Sequence, residues 1–214
     1  MKNLIKKFFK KKNENNFKKK LLEKIKLFQE NLKNKSTISF LHYGHLGDII
    51  DSLAVVKEIS KEKNCIFYIQ KNKKLPSDVN EDDHPFGSSY LSENSILKML
   101  PLLRNQNFLQ KVEVYSNEKI DVDLNFFREL PMNFNIDSVR WYSHLTGKHA
   151  DLSKSWIEVP EYQKYKNYIV IMRSLRRQSK IVDYSFLSSY ENIVFIGLKN
   201  EYENLKIKIP NMQF

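Results

Sequence analysis

The chain is poor in cysteine and in long apolar runs. Its single cysteine, Cys65, excludes an internal disulfide framework and permits a reducing compartment. No apolar stretch approaches the roughly 20 residues of a membrane-spanning helix. The start "MKNLIKKFF" lacks the continuous apolar core and the small-residue cleavage site of a secretory signal. These absences predict a cytoplasmic protein.

Net positive charge is scarce outside the first 35 residues. Residues 1–35 hold 13 Lys and three acidic residues, which is +10 of the formal net charge of +11. A nucleic-acid-binding surface spread over the rest of the chain is therefore not supported, and no nucleic-acid partner is predicted. Apolar residues recur every three or four positions in this leader, which predicts one or two amphipathic helices with a Lys-rich face. Two roles stay open: adsorption to the anionic inner face of a membrane, or packing on the body of the protein.

From residue 37 the sequence alternates between apolar runs and helical patterns. Predicted strands are "TISFLHY", "CIFYIQ" and "KVEVYS", with helices over about 48–60, 93–106 and 135–146. After Pro160 the alternation restarts with "YIVIMRS" and "NIVFIGL". This alternation predicts an α/β fold with parallel sheets in two domains. The predicted parts are a basic leader (1–35), a Rossmann-like domain (36–155), a linker (156–166) and the start of a second Rossmann-like domain (167–214).

Two glycines separate the first predicted strand from the first helix of the body, in "FLHYGHLGDIIDSLAVVKEI" at residues 40–59. Such a loop presents backbone N–H groups and a helix N-terminus to an anion or a sugar. The Gly-Lys-Ser/Thr ending of a P-loop is missing, and Ile50 stands where a dinucleotide fingerprint has its third glycine. Asp48 would oppose a phosphate at the helix start, which favours a hydroxyl ligand. Asp48 is either a helix cap or a residue that bonds or deprotonates a hydroxyl.

The segment "GHLGDIIDSLAVVKEI" resembles the opening of the heptosyltransferases that build lipopolysaccharide, and of related GT-B glycosyltransferases. It differs in lacking the proline that often follows a few residues later in that family. The resemblance implies a GT-B fold in which Asp48 is the catalytic base, while Gly44 and Gly47 shape the loop. In that family the loop lines the cleft between two Rossmann-like domains, and the N-terminal domain is the acceptor side.

A second stretch, "YIVIMRSLRRQSKIVDY", carries a hydroxyl and four cations directly after a predicted strand: Arg173, Ser174, Arg176, Arg177 and Lys180. These groups suit a diphosphate, through charge-assisted and partly bidentate hydrogen bonds, and the alternative is a solvated basic loop. The second domain of the family named above opens in a similar way and binds the donor's phosphates there. Further on, Gly197 ends a predicted strand and Glu201 follows four positions later. The resemblance implies that Glu201 contacts the ribose of the donor nucleotide.

Two of the five histidines are candidate ligand contacts. His45 lies within the glycine loop, and His84 lies in the long polar segment "KNKKLPSDVNEDDHPFGSSYLSEN". Both are candidates for contacting acceptor or donor. The sequence "DVD" at 121–123 could indicate a metal site. The alternation of apolar and polar residues in "IDVDLNFF" around it favours an extended segment instead, and no metal ion is predicted.

The resemblance implies transfer of a sugar from a nucleotide-sugar to a hydroxyl of a glycan or lipid-linked acceptor in cell-surface polysaccharide synthesis. The expected reaction is inverting and metal-independent, with a nucleotide-sugar as substrate and no cofactor. The second domain is short for this family, so a truncated C-terminal domain and self-association through an incomplete sheet are expected. The alternative function is a non-catalytic Rossmann-like binding protein or peripheral membrane protein.

Overall fold

The computed structural model describes residues 2–76, 89–130, 135–161, 163–173 and 181–214, and for residues 2–15 it describes the backbone only. The chain divides into two compact units, residues 1–159 and residues 160–214. In the first unit the described helices and strands are α1 (Lys2–Asn34), β1 (Thr37–His42), α2 (Leu46–Ser60), β2 (Asn64–Ile69), α3 (Glu93–Arg104), β3 (Lys111–Val114), β4 (Val122–Asp123), a 3-10 helix (Leu124–Glu129) and α4 (Ser138–Thr146).

The first unit is built on a parallel four-stranded sheet in the order β3-β2-β1-β4. Apolar side chains of β1, β2 and α2 form the centre of its core; Ile38, Phe40, Phe67, Ile49 and Leu53 are fully buried. The chain moves outward from β1 through β2 to β3 and then returns to the other side of β1 to form β4. The strand order therefore reverses between β1 and β4, and in open α/β sheets the carboxyl end of such a position is where ligands bind.

The part of α1 after residue 20 packs on the body of the first unit instead of standing apart as a leader. Leu21, Phe28 and Leu32 are buried in the core of the first unit, and the ring of Phe28 meets that of Phe126 edge-on at 5.6 Å. Near the end of α1, Lys35 forms an ion pair with the buried Asp121. Of the two roles left open for residues 1–35, the structure thus shows packing on the body for the part after residue 20.

The second unit contains a smaller parallel sheet of two strands, β5 (Ile169–Ile171) and β6 (Ile193–Phe195), followed by α5 (Lys199–Lys206). Two 3-10 helices, Gln163–Tyr165 and Ser185–Ser189, precede β5 and β6. Its own core contains Ile171, Phe195, Leu205, Ile209 and Met212. Both units are thus α/β, with the sheet of the first unit flanked by helices in a manner consistent with a Rossmann-like fold.

The run "IDVDLNFF" shows one local difference from expectation. Val122 and Asp123 form β4, as the alternation predicts, but Leu124 begins a 3-10 helix instead of continuing the extended segment. Asp123 caps this helix by accepting a hydrogen bond from the backbone N–H of Asn125 at 2.9 Å. The capping aspartate ends the strand after two residues, and the turn that results directs the following residues toward the end of β1.

Candidate functional site at the carboxyl end of β1 and β4

The loop between β1 and α2 lies where the strand order reverses. Its first residue, Tyr43, donates its backbone N–H to the Asn125 side chain at 3.0 Å, and Asn125 also donates to the carbonyl of Leu41. Asn125 is buried and comes directly after β4. The two strand ends are therefore joined by one amide side chain, which fixes the loop against the residues that follow β4.

Asp48 occupies the third position of α2, and its side chain has two partners. Its Oδ2 accepts the backbone N–H of His45 at 3.3 Å, which caps the helix. The same oxygen lies 2.5 Å from Nη2 of Arg128, in the 3-10 helix after β4. Among the described residues, none donates to Oδ1. Asp48 thus serves as the cap that the sequence allows, and it also pairs with a cation that follows β4.

Gly44 is required by the closeness of these groups. A Cβ at this position would lie 2.6 Å from Nη2 of Arg128, 2.8 Å from Cε1 of His42 and 3.0 Å from Oδ2 of Asp48. Real Cβ atoms do not approach other atoms so closely, so a side chain here would displace the ion pair. Gly47 differs, because nothing lies within 4 Å of a Cβ built on it. Of the two predicted loop glycines, Gly44 is the one that shapes the site.

A chain of hydrogen bonds runs beneath the loop. The N–H of Gly44 donates to Nδ1 of His42 at 3.0 Å, and the hydroxyl of Tyr142 donates to the carbonyl of Asp48 at 2.8 Å. His42 Nε2 lies 3.1 Å from that hydroxyl oxygen and must carry the proton, since Nδ1 already accepts and the tyrosine proton is used. Burial, and next the charge of Arg128, hold the pKa of His42 well below its usual value. The imidazole is therefore a neutral link that ties the loop to α4.

Aromatic rings pack against the loop. The ring of Tyr90 lies 5.7 Å from that of Tyr43 and 5.5 Å from that of His45, while the guanidinium of Arg128 lies 5.0 Å from its centre. Tyr90 comes at the end of the long polar segment between β2 and α3. Burial, and next the charge of Asp123, raise the pKa of Tyr43 to about 12. Tyr90 is buried, so these contacts pack the end of the polar segment against the loop.

A second carboxylate, Asp51, lies one helical turn after Asp48. It accepts a hydrogen bond from the hydroxyl of Ser138, at the start of α4. Burial raises the pKa of Asp51; the Ser138 bond opposes this shift, and the charge of Asp48 adds to it. Asp51 therefore joins α2 to α4, while Asp48 faces the loop.

In the second unit, the turn between β6 and α5 has contacts of the same kind as the glycine loop between β1 and α2. A Cβ at Gly197 would lie 2.6 Å from the ring of Phe195 and 3.1 Å from Oε2 of Glu201, and that oxygen accepts the N–H of Leu198 at 3.2 Å. Arg173 follows β5 on the same edge of this sheet, with its guanidinium 5.0 Å from the ring of Tyr184. Glu201 thus caps α5 in the way that Asp48 caps α2.

Several predicted site residues lie outside the described part of the chain: His84, Ser174, Arg176, Arg177 and Lys180. Those within it fall into two groups. Gly44, His45, Gly47 and Asp48 come together at the carboxyl end of β1, while Arg173 and Glu201 share the carboxyl edge of the β5–β6 sheet.

Sequence reasoning missed Arg128, Tyr142 and Asn125. They lie 80 or more residues beyond the loop and match no motif. One signal was available, because polar residues occur at the end of the short strand β4 and just after it: Asp123, Asn125 and Arg128. They lie beside the glycine loop once β4 is placed next to β1. That placement depends on the strand order and not on local sequence.

No protein-family model, curated protein or solved structure matches this chain. In the part of the chain that the structure describes, no helix is both long enough and apolar enough to cross a membrane. Within that same part, no three His, Cys, Asp or Glu side chains are grouped as a metal site would require. The oxygens of Asp121 and Asp123 are bonded to Lys35, Ser39 and Asn125.

Proposed function

We propose that the protein is a GT-B type glycosyltransferase, similar to the lipopolysaccharide heptosyltransferases, which moves a sugar from a nucleotide-sugar to an acceptor hydroxyl in cell-surface polysaccharide synthesis. The observation that carries the proposal is the placement of Asp48. Its carboxylate lies at the position where the strand order reverses, is held by the His45 N–H, and keeps Oδ1 without a donor among the described residues.

In the proposed reaction Asp48 Oδ1 takes the proton of the acceptor hydroxyl while that oxygen attacks the anomeric carbon. The bond from the anomeric carbon to the diphosphate breaks, and its electron pair leaves with the nucleoside diphosphate. In this proposal the cations that follow β5, among them Arg173, stabilise the leaving diphosphate in place of a metal ion, and Glu201 binds the ribose. Inversion at the anomeric carbon follows from a single displacement.

The test is turnover by the purified full chain with nucleotide-sugars of UDP, GDP and ADP, scored by release of the free nucleoside diphosphate. We expect one donor class to be used, and Asp48→Asn to lower the rate by about 100-fold to 10,000-fold, the usual contribution of a general base. Nucleotide binding, followed by thermal shift, should persist in that variant. Glu58→Gln is the matched control, because Glu58 is on α2 and bonds only Lys61 among the described side chains.

Two outcomes would contradict the proposal. If Asp48→Asn turns over at the wild-type rate, then Asp48 is not the base. If no nucleotide and no nucleotide-sugar shifts the melting temperature, then the chain does not bind a donor and the second candidate below is favoured.

The second candidate is a non-catalytic protein that adsorbs to anionic membranes. The outer surface of α1 favours it: Phe17, Leu22 and Leu27 are each about half exposed, at 56%, 59% and 48%, and they alternate with exposed lysines at 18–20, 24, 26 and 33. Apolar and cationic side chains on one helix favour the surface of an anionic bilayer. In this case cosedimentation with phosphatidylglycerol vesicles, but not phosphatidylcholine vesicles, should fall when Lys18, Lys19 and Lys20 become Gln and should not respond to Asp48→Asn.

A further inference from the structure

Arg128 is the cation that pairs with Asp48 at the β1–β4 site. Its side chain is 20% exposed and that of Asp48 is 21% exposed, so the ion pair lies at the boundary with solvent. The guanidinium lies between two rings, 4.3 Å from the centre of Phe127 and 5.0 Å from that of Tyr90. Stacking of this kind holds the plane of a guanidinium while leaving its edge N–H groups for ligands.

Few of the donors on Arg128 are used. Nη2 bonds Asp48, and Nη1 reaches Oδ1 of Asn125 only at 3.5 Å, the limit for a hydrogen bond. Asn125 is already engaged by the N–H of Tyr43. Among the described residues, Asp48 is therefore the single short-range acceptor for five N–H groups.

We propose that Arg128 determines specificity for a ligand bearing a phosphate or carboxylate, and that this anion binds by replacing Asp48 at the guanidinium. Phosphate and carboxylate oxygens match the two-pronged edge of Arg better than a single carboxylate oxygen does. The positive charge of Arg128 therefore has an anionic partner both before and after the ligand binds. The Asp48 carboxylate is then released from the guanidinium while His45 still holds it in the loop.

The exchange has a consequence for the proposed reaction. When the anionic ligand takes the place of Asp48 at Arg128, the Asp48 carboxylate is freed for the acceptor hydroxyl while the His45 N–H still holds it. Recognition of the ligand is thereby coupled to the availability of the proposed base. This step rests on the proposed function, whereas anion exchange itself does not.

The test measures binding without turnover, using inorganic pyrophosphate and the full chain. If Asp48 and the anion compete for Arg128, Asp48→Asn should tighten pyrophosphate binding by about tenfold, and Arg128→Gln should weaken it at least tenfold. The matched control is Asp51→Asn. This variant removes an equal charge one helical turn after Asp48, from a carboxylate that accepts a hydrogen bond from Ser138. It should change the affinity by less than about twofold. Circular dichroism confirms that each variant is folded.

A result in which Asp48→Asn leaves the affinity unchanged, or tightens it no more than Asp51→Asn does, overturns the proposal. Parallel titrations with nucleoside diphosphates and with glucose 6-phosphate distinguish a donor from an acceptor as the source of the anion. The ligand whose binding Asp48→Asn tightens more is the one that Arg128 recognises. Exchange without sugar transfer would refute the proposed function alone, and transfer without exchange would refute this inference alone.

Discussion

The hydroxyl of Tyr142, on α4, donates a hydrogen bond to the backbone carbonyl of Asp48, on α2, with 2.8 Å between the two oxygens. Tyr142 is fully buried, and its oxygen also receives the proton on Nε2 of His42. One side chain thus satisfies two groups at the base of the glycine loop. It positions Asp48 through the backbone and does not touch the carboxylate.

Removing that hydroxyl should destabilise the protein. Tyr142→Phe leaves the His42 Nε2–H and the Asp48 carbonyl without their partner, and a buried polar group left without one costs about 1–3 kcal/mol. We expect the free energy of unfolding in urea to fall by this amount. Tyr115→Phe is the control, because no described residue bonds its hydroxyl and that ring is half-buried. Equal losses in the two variants would show that the hydrogen bonds to Tyr142 contribute nothing specific.

The two loop glycines should respond differently to the same substitution. Gly44→Ala forces a Cβ to within 2.6 Å of Arg128, so we expect a loss of about 1–3 kcal/mol, the usual cost of overpacking. Gly47→Ala meets no atom within 4 Å and lies in the first turn of α2, where alanine is the better helix former, so it should be neutral or stabilising by up to about 1 kcal/mol. Thermal and urea unfolding of both variants measures the contrast. A Gly44→Ala protein as stable as wild type would mean that Arg128 is not held against the loop.

His42 should stay neutral well into the acidic range. Burial lowers its pKa in the folded state, whereas the unfolded chain titrates at about 6.5. The unfolded state therefore binds the proton first, and the stability that neutral His42 contributes is complete above about pH 7 and declines as the pH falls below 6.5. Two-dimensional ¹H–¹⁵N spectra of the imidazole should show the Nε2–H form with unprotonated Nδ1 from pH 8 to below pH 6. Protonation of His42 near pH 6.5 in the folded protein would contradict the hydrogen-bond chain.

The ion pair at the end of α1 predicts a pH dependence in the carboxylate range. Burial acts to raise the pKa of Asp121, but hydrogen bonds from Lys35 and from the Ser39 N–H and hydroxyl outweigh it and leave the pKa below its usual value. The stabilising contribution is therefore complete above the unfolded value of about 3.9 and is lost as the pH falls through the lower folded value.

Asp121→Asn should accordingly lose stability relative to wild type by a constant amount above about pH 5, and the difference should shrink below about pH 4. Urea unfolding between pH 3 and pH 7 measures it. Glu62→Gln is the control, since Glu62 pairs with Lys148 at the surface, where ion pairs contribute at most about 1 kcal/mol. A difference between wild type and Asp121→Asn that does not vary with pH would exclude the titration of Asp121 as its source.

Prediction from the sequence succeeded where a signal is local. The strands around β1 and β2 and the helix after the glycine loop lie within two residues of their predicted bounds, because apolar runs and a glycine loop specify them directly. The prediction was wrong in the run after β4, where the Asp123 cap begins a 3-10 helix in place of the expected extended segment.

The sequence by itself determined that a parallel α/β chain carries Asp48 at the start of a helix, behind two glycines. It left open whether Asp48 caps the helix or meets a ligand. Only the tertiary structure decided that one oxygen does the capping and also pairs with Arg128, that Gly44 and not Gly47 is spatially required, and that Tyr142 fixes the loop. The physical reason is the return of the chain to β1: β4 brings residues 80 and more positions away to the end of the first strand, and no local pattern encodes which strand β4 will join.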